Sequence, residues 1–186
     1  MRISHIAPAA VILAAALTYN GSSSAAPPVH ETFHDEFSFT DDDFCDAGLT
    51  IDGDVVVDGR GMIRARGQEG LIYFGEHIIV EATFTNPDTG AIMTTVEHSL
   101  SKDLHVIDNG DGTLSVTVLA TGNFTMYAAD GTAIGRNPGQ FRFELLVDHG
   151  GTPTDPEDDV ELDFQVLKES TGRTDDFCEI ALAALT

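Results

Sequence analysis

Strict alternation of apolar and polar residues in the middle of the chain constrains the fold most. The apolar residues there occupy every second position, with Ser and Thr between them, at Leu114, Val116, Val118 and Ala120. This period of two is that of a half-buried β-strand, whereas a helix needs spacings of three and four. The preceding turn at 108–112 (DNGDG) contains Asn-Gly and Asp-Gly, which reverse antiparallel strands at little cost. Residues 102–130 are therefore predicted to form a hairpin.

Similar short patterns recur along the chain and set the fold class. Strand patterns separated by turn residues are found at 33–39, 49–57, 62–66, 73–84, 91–100, 141–148 and 160–166, with a brief one at 133–134. Only 177–185 (FCEIALAAL) predicts a helix, with Asp175 or Asp176 as its N-cap. We predict an all-β protein, an antiparallel meander forming a small barrel or sandwich of about 8–10 strands with a short C-terminal helix.

The N-terminus has the features of a secretory signal peptide. One cation, Arg2, precedes an apolar run over 6–17, and small residues end the segment at Ala25 and Ala26. The run is shorter than the about 20 residues of a membrane-spanning helix. The sequence thus predicts a signal peptide over residues 1–25, a single β-rich domain over residues 26–186, secretion to the extracellular space and no membrane anchor in the mature chain. Cleavage after Ala26 is the alternative.

Acidic residues dominate the composition. The chain has 31 acidic and 9 basic residues and a formal charge of −22, which becomes −23 when Arg2 leaves with the signal peptide. A surface of this sign repels phosphate backbones and anionic headgroups, so nucleic acid and bare membrane are poor partners. Solubility or salt tolerance is the simplest role of such charge.

The chain has two cysteines, Cys45 and Cys178, near opposite ends of the mature sequence. An even count in a single domain of an oxidising compartment favours pairing. We predict a disulfide that holds the C-terminal helix against the first strands. Phe44 and Phe177, beside the two cysteines, are expected to share one apolar cluster.

An ordered set of short motifs covers most of the mature chain. The motifs are NPDTG at 86–90, NGDGTL at 109–114, DHGGTPTDPEDD at 148–159 and a terminal DFC at 176–178, behind a leader that ends in AAPP. In these motifs the chain resembles a group of small secreted actinobacterial β-proteins of unknown function. The resemblance implies secretion and the cysteine pair, and it assigns no catalytic residue.

Residues 30–34 (HETFH) match H-E-x-x-H, the zinc-protease pattern. That chemistry needs the two histidines one turn apart on a helix, but this match follows a Pro-Pro pair and runs into the strand pattern at 33–39. On a strand the two histidines share a face at too great a distance for one zinc ion, and Glu31 points to the other face. The sequence therefore argues against a metalloprotease.

A second candidate for metal binding is the acidic loop near the end of the chain. Its carboxylates belong to Asp155, Glu157, Asp158, Asp159 and Glu161. Ca²⁺ takes six to eight oxygen ligands, which such a loop could supply, but the spacing matches no calcium loop. A solvated turn is the favoured interpretation, weak calcium binding is the hypothesis set against it, and no other cofactor is expected.

Three polar residues near the central hairpin, Glu97, His98 and His105, are candidates for lining an interior cavity. The hairpin register decides the position of His105. Pairing Val106 with Leu114 turns His105 to solvent, and a one-residue slip turns it to the core. The first register is favoured because it buries more apolar side chains.

No motif in the sequence fixes an activity. A G-x-S-x-G elbow and a phosphate loop are both missing. We favour a secreted non-catalytic module that binds a small molecule, a cation or a protein. The alternative is a small-barrel enzyme, such as an isomerase resembling allene oxide cyclase in architecture only. An interior cavity with convergent polar groups would favour the enzyme or a carrier, and a filled core would favour a surface-acting module.

Overall fold

The computed structural model describes residues 28–67 and 69–186, so the predicted signal peptide over 1–25 lies outside the described residues. Seven strands form one antiparallel sheet in which each strand pairs with the next along the chain. The elements are β1 (Val29–Phe44), β2 (Leu49–Arg66), β3 (Leu71–Thr85), β4 (Ile92–Asp108), β5 (Thr113–Ala128), β6 (Ala133–Asp148), β7 (Val160–Lys168) and the helix α1 (Phe177–Leu185). The predicted all-β antiparallel meander with a short C-terminal helix is confirmed.

The sheet is open. Strands β1 and β7 form its two edges, and it does not close into a barrel. It also has seven long strands where the sequence predicts about 8–10 short ones, because several predicted breaks lie inside continuous strands. The two patterns at 49–57 and 62–66 belong to β2, and those at 133–134 and 141–148 belong to β6.

Strand β2 continues through its glycines because a neighbouring ring replaces the missing side chain. Gly59 lies directly opposite Phe33 of β1, whose ring occupies the space that a Cβ at Gly59 would need. Gly53 and Phe39 form a second pair of the same kind. An aromatic side chain that covers a cross-strand glycine offsets the weak packing of glycine in a sheet. These glycines therefore permit close packing and do not end the strand.

Strand β6 continues through Pro138 because one of its sides is free of strand pairing there. Pro138 lies opposite Asn123 of β5, while β7 pairs with β6 only over 142–148. The proline thus sits on a stretch that is an edge on one side, where its missing N–H costs no ladder hydrogen bond.

The central hairpin forms with a register that differs from the predicted one. Val106 lies opposite Val116, and Leu114 lies opposite Asp108, so the predicted pairing of Val106 with Leu114 is wrong. A bulge directly before His105 shifts the register by one residue. Val106 is nevertheless buried and His105 is exposed, as the prediction required, because the bulge resets which side chains face the core.

The main core cluster lies where α1 covers one end of the sheet. Its buried members come from five elements, namely β1, β2, β4, β5 and α1: Phe44, Ile51, Met93, Met126, Ala181 and Leu185. The predicted disulfide is present there, with 5.6 Å between the Cα atoms of Cys45 and Cys178. The rings of Phe44 and Phe177 lie 5.9 Å apart in an edge-to-face arrangement, as predicted.

A smaller cluster lies at the opposite end of the sheet. It contains Leu71, Val106, Leu114 and Val147, which are all buried. Tyr73 closes this end, since its hydroxyl accepts a hydrogen bond from the Val106 N–H at 3.2 Å. Two separate clusters therefore support the two ends of the sheet.

Helix α1 begins at its predicted cap. The Asp176 carboxylate accepts the Glu179 N–H at 2.9 Å, which satisfies one of the free donors of the first turn. Within 28–67 and 69–186, no helix has the length and apolar character needed to cross a membrane.

Candidate functional site

Residue alternation gives the sheet two chemically different faces. One face carries the main core cluster together with Val106, Leu114 and Val147 of the smaller one, and it is called the apolar face. The other, the polar face, has three cross-strand rows that pass through Asp58, Arg60 and Met62 of β2. These rows, called the basic band, contain His30, His34, His77, His98, Arg60, Lys102, Arg142 and Lys168. Asp58 is the one acid among the described residues of the band, although the whole chain carries a charge of −22.

A shallow groove of about 590 Å³ crosses the basic band over β1, β2 and β3. Its lining includes Thr32, His34, Asp58, Arg60, His77 and Ile79. A second hollow of about 310 Å³ lies at the far end of the sheet beside Arg66 and Tyr73. The larger groove combines volume, convergent polar groups and positive charge, which makes it the candidate site.

His34 is fixed in the groove by two carboxylates. Its Nδ1 lies 2.8 Å from Asp58 Oδ1, and its Nε2 lies 3.2 Å from Glu36 Oε1. The hydrogen bond to Asp58, followed by that to Glu36, raises the pKa of His34 above 6.5. Only the doubly protonated ring donates to both carboxylates, so this arrangement favours the imidazolium.

Arg60 lies on the same strand as Asp58, beside the group formed by His34 and its two carboxylates, and its own charge is uncompensated. It is exposed, and it forms no ion pair with another described residue. The register places Thr32 on one side of it and His77 on the other, in the same row. The nearest acid on its own strand face, Asp58, is already bonded to His34. A planar guanidinium flanked by a hydroxyl and an imidazole is suited to bind an oxyanion with two parallel hydrogen bonds.

The structure does not bring the three predicted cavity residues together. Glu97 lies on the apolar face opposite Val80, whereas His98 lies on the polar face opposite Ile79. His105 is exposed beyond the bulge of β4. Adjacent residues of a strand point to opposite faces, so Glu97 and His98 cannot share one cavity.

The acidic loop uses several of its carboxylates locally. Asp155 caps a 3-10 turn over Pro156–Asp158 by accepting the Glu157 N–H at 3.2 Å. The Asp158 carboxylate accepts the Thr152 hydroxyl at 2.8 Å. Glu161 has already entered β7 opposite Val147.

Within the described part of the chain, no group of three His, Cys, Asp or Glu side chains has an arrangement that could hold a metal ion. Burial, followed by the charge of Asp158, raises the pKa of Asp159 to about 6. The buried His149 lies close enough to oppose that increase. Weak calcium binding by this loop stays a prediction, which a thermal melt in millimolar Ca²⁺ tests.

The H-E-x-x-H match lies on β1, a strand. His30 and His34 share the polar face, where they pair with Met62 and Asp58, while Glu31 points to the apolar face opposite Gly61. The helical geometry of a zinc protease is therefore missing from these residues, as the sequence indicated.

Sequence reasoning missed Arg60 and His77. Arg60 lies on β2 and His77 on β3, so the two residues are far apart in the sequence, and neither belongs to a motif. One signal was available: in a chain with few cations, the 60–66 segment (RGMIRAR) contains three arginines at even positions, which places them on one face of a strand. The chain matches no protein-family model, and comparison with curated proteins and with solved structures finds no similar protein.

Proposed function

We propose that the protein is a secreted, non-catalytic module that binds an anionic small molecule in the groove of the basic band. The observation that carries this proposal is the uncompensated guanidinium of Arg60, which lies between Thr32 and His77 in a groove of about 590 Å³. The ligand class is an oxyanion, a carboxylate or a sulfate, because such groups accept two parallel hydrogen bonds from arginine.

The hydrogen bonds of His34 support a binding role over a catalytic one. Both ring nitrogens are occupied by carboxylates, at 2.8 Å and 3.2 Å. A general base needs a free nitrogen within reach of the proton that it removes. Protonated His34 therefore offsets the charge of its carboxylate partners beside Arg60, and neither of its ring nitrogens is free to accept a proton from a ligand.

Two further observations support secretion. The Cys45–Cys178 disulfide is compatible with an oxidising compartment. The leader over residues 1–25 and the resemblance to secreted β-proteins favour the same location.

The test is calorimetry with the mature protein and three probes, namely glucuronate, sulfate and neutral glucose. We expect the two anions to bind and glucose not to bind. Arg60→Gln should abolish the anion signal, because the amide keeps the size of the side chain and removes the charge. Arg136→Gln is the matched control, since Arg136 is exposed on the same face outside the basic band.

Binding should also weaken as pH rises above the pKa of His34, which its carboxylate partners hold above 6.5. Salt should weaken binding too, because exposed charges are screened beyond about 8 Å at physiological ionic strength. Equal affinity for glucuronate and glucose, or equal losses in the two arginine variants, would refute the proposal.

A further inference from the structure

One cross-strand row of the basic band crosses the whole sheet without an acid. It is called the Met62 row, and its members, one from each strand, are His30, Met62, Gly75, Lys102, Leu119, Arg142 and Lys168. The neighbouring row through Arg60 also contains no acid among the described residues. Since neighbouring strands lie about 4.8 Å apart, the Met62 row is about 29 Å long. The groove, by contrast, covers only β1, β2 and β3.

The cations of the Met62 row have no counter-ion in the protein. Lys102, Arg142 and Lys168 are exposed, and none of them forms an ion pair with another described residue. Arg142 and Lys168 also lie directly opposite each other on β6 and β7. Like charges in this position destabilise a strand pair, and an anion held between them would relieve the repulsion. The row therefore continues the positive charge of Arg60 beyond the groove, in a chain with 31 acidic residues.

We propose that the Met62 row binds an acidic polysaccharide, a sugar chain with carboxylates at intervals, which lies across the strands with one uronate in the groove beside Arg60. This inference rests on the proposed function and extends it, because the groove is one subsite and the row provides the next ones. Lys102 lies on β4, the first strand beyond the groove, and Arg142 and Lys168 lie further along the same row. A polymer contacts all of these cations at once, whereas a single sugar reaches only the groove.

Two features of the row favour a sugar chain over a nucleic acid. Lys102 and Arg142 are two strands apart, so their Cα atoms are about 10 Å from each other, whereas duplex DNA carries one charge per about 1.7 Å. Among the described residues, neither the Met62 row nor the Arg60 row contains a Phe, Tyr or Trp on which a base could stack. Thr121 and Gln140, which lie beside the cations, instead offer the donors and acceptors that sugar hydroxyls need.

The acids of the chain confine such a ligand to the row. Exposed charges are screened beyond about 8 Å at physiological ionic strength, so the charges near the ligand matter more than the total of −22. The nearest acid on the same face of β6 is Glu144, which borders the band in the next row. A polyanion that follows the Met62 row therefore meets cations, and one that leaves it meets acids.

The test is calorimetry of the mature protein at physiological salt with hyaluronan oligosaccharides, in which glucuronate alternates with a neutral sugar, and with glucuronate alone. We expect affinity to rise with chain length until the chain spans the row. The gain over glucuronate should be about 3-fold to about 100-fold, because each exposed cation adds a modest ion pair. A carboxyl-reduced oligosaccharide of the same length is the neutral control and should not bind. A single-stranded oligothymidylate of similar length should bind more weakly than the hyaluronan chain.

Arg142→Gln and Arg136→Gln are a matched pair, since both residues are exposed on the same face of β6 but only Arg142 lies in the row. Arg142→Gln should lower the affinity for the long oligosaccharide by about 2-fold to about 5-fold, and that for glucuronate less, because Arg142 lies three strands beyond the groove. Arg136→Gln should have the smaller effect on the oligosaccharide. Far-UV circular dichroism checks that both variants keep the sheet.

The outcomes separate this inference from the proposed function. If glucuronate binds as tightly as the long oligosaccharide, the inference is wrong and the proposed function stands. If neither glucuronate nor any oligosaccharide binds, both are wrong. Equal binding of the carboxyl-reduced chain, tighter binding of the oligothymidylate, or equal losses in the two arginine variants also overturns the inference.

Discussion

Asp103 gives the sharpest test of how this sheet responds to pH. Its carboxylate, which lies directly before the bulge of β4, accepts the Phe74 N–H of β3 at 2.6 Å. Burial raises the pKa of Asp103 from 3.8 to about 6, while the Phe74 hydrogen bond and the charge of Arg66 limit the increase. The folded protein therefore holds the Asp103 proton more tightly than the unfolded chain does.

The magnitude follows from this difference. A carboxyl with a pKa of 3.8 in the unfolded chain and about 6 in the folded state is shifted by about 2 units. At 1.36 kcal/mol per unit, ionisation at pH 7 costs the fold about 3 kcal/mol. The cost is absent below pH 3.8, where both states are protonated, and it is complete above pH 6. Asp103 thus makes the protein less stable as pH rises through this window.

Asp103→Asn should remove this cost. The amide oxygen still accepts the Phe74 N–H, but the side chain no longer ionises. We expect the wild type to lose stability between pH 4 and pH 7, and the variant to lose about 3 kcal/mol less. Burial also raises the pKa of Glu76 and Glu97, but both carboxyls are present in both proteins and cancel in the comparison.

The assay is urea unfolding followed by circular dichroism at each pH. Glu81→Gln, at an exposed position, is the control for removing one acidic charge. The reasoning is refuted if Asp103→Asn and wild type have the same pH dependence, or if the variant is the less stable protein at pH 7.

Three further changes test the packing. Cys45→Ala should lower the unfolding free energy by up to about 5 kcal/mol without loss of the β-sheet signal, because the bridge closes a long loop; thiol titration of the unreduced wild type should find no free thiol. Gly135→Ala should lower the unfolding free energy by about 1–3 kcal/mol, because the new Cβ would overlap side chains under α1. Gly61→Ala is the control, since the nearest atom to its Cβ would be 3.6 Å away, and it should cost less in the same denaturation assay. Phe33→Ala should cost about 1 kcal/mol more than Phe37→Ala, because only the first uncovers a glycine; equal losses in thermal melts would contradict this.

Local patterns predicted the strands and the helix well but not the strand lengths. Alternation identifies which residues of β5 and β6 face the core, and the acid before 177–185 marks the start of α1. The continuity of β2 depends on Phe33 covering Gly59, and that of β6 depends on Pro138 lying where β7 has already ended. Both are tertiary effects, so a glycine or proline in the sequence predicts a break that the neighbouring strand prevents.

The candidate site was harder to predict because the pairing registers of β1 with β2 and of β2 with β3 determine which of its residues become neighbours. Arg60 meets His77 only through the β2–β3 pairing and meets Thr32 only through the β1–β2 pairing. A slip of one residue in either hairpin would move these partners to opposite faces. The sequence contains the residues, and the two registers select which of them become neighbours.

The open sheet explains why acids are found on its apolar face. Helix α1 covers one end of that face and the Leu71 cluster supports the other, while the residues between them are only half-buried. Glu76 and Glu97 lie in this central part, next to serines across or along the strands. A closed barrel would bury such carboxyls fully, whereas an open sheet leaves them enough water to ionise at a raised pKa. The disulfide is consistent with an open sheet. It joins the β1–β2 junction to α1, so it holds the covering helix in place without joining the two edges of the sheet.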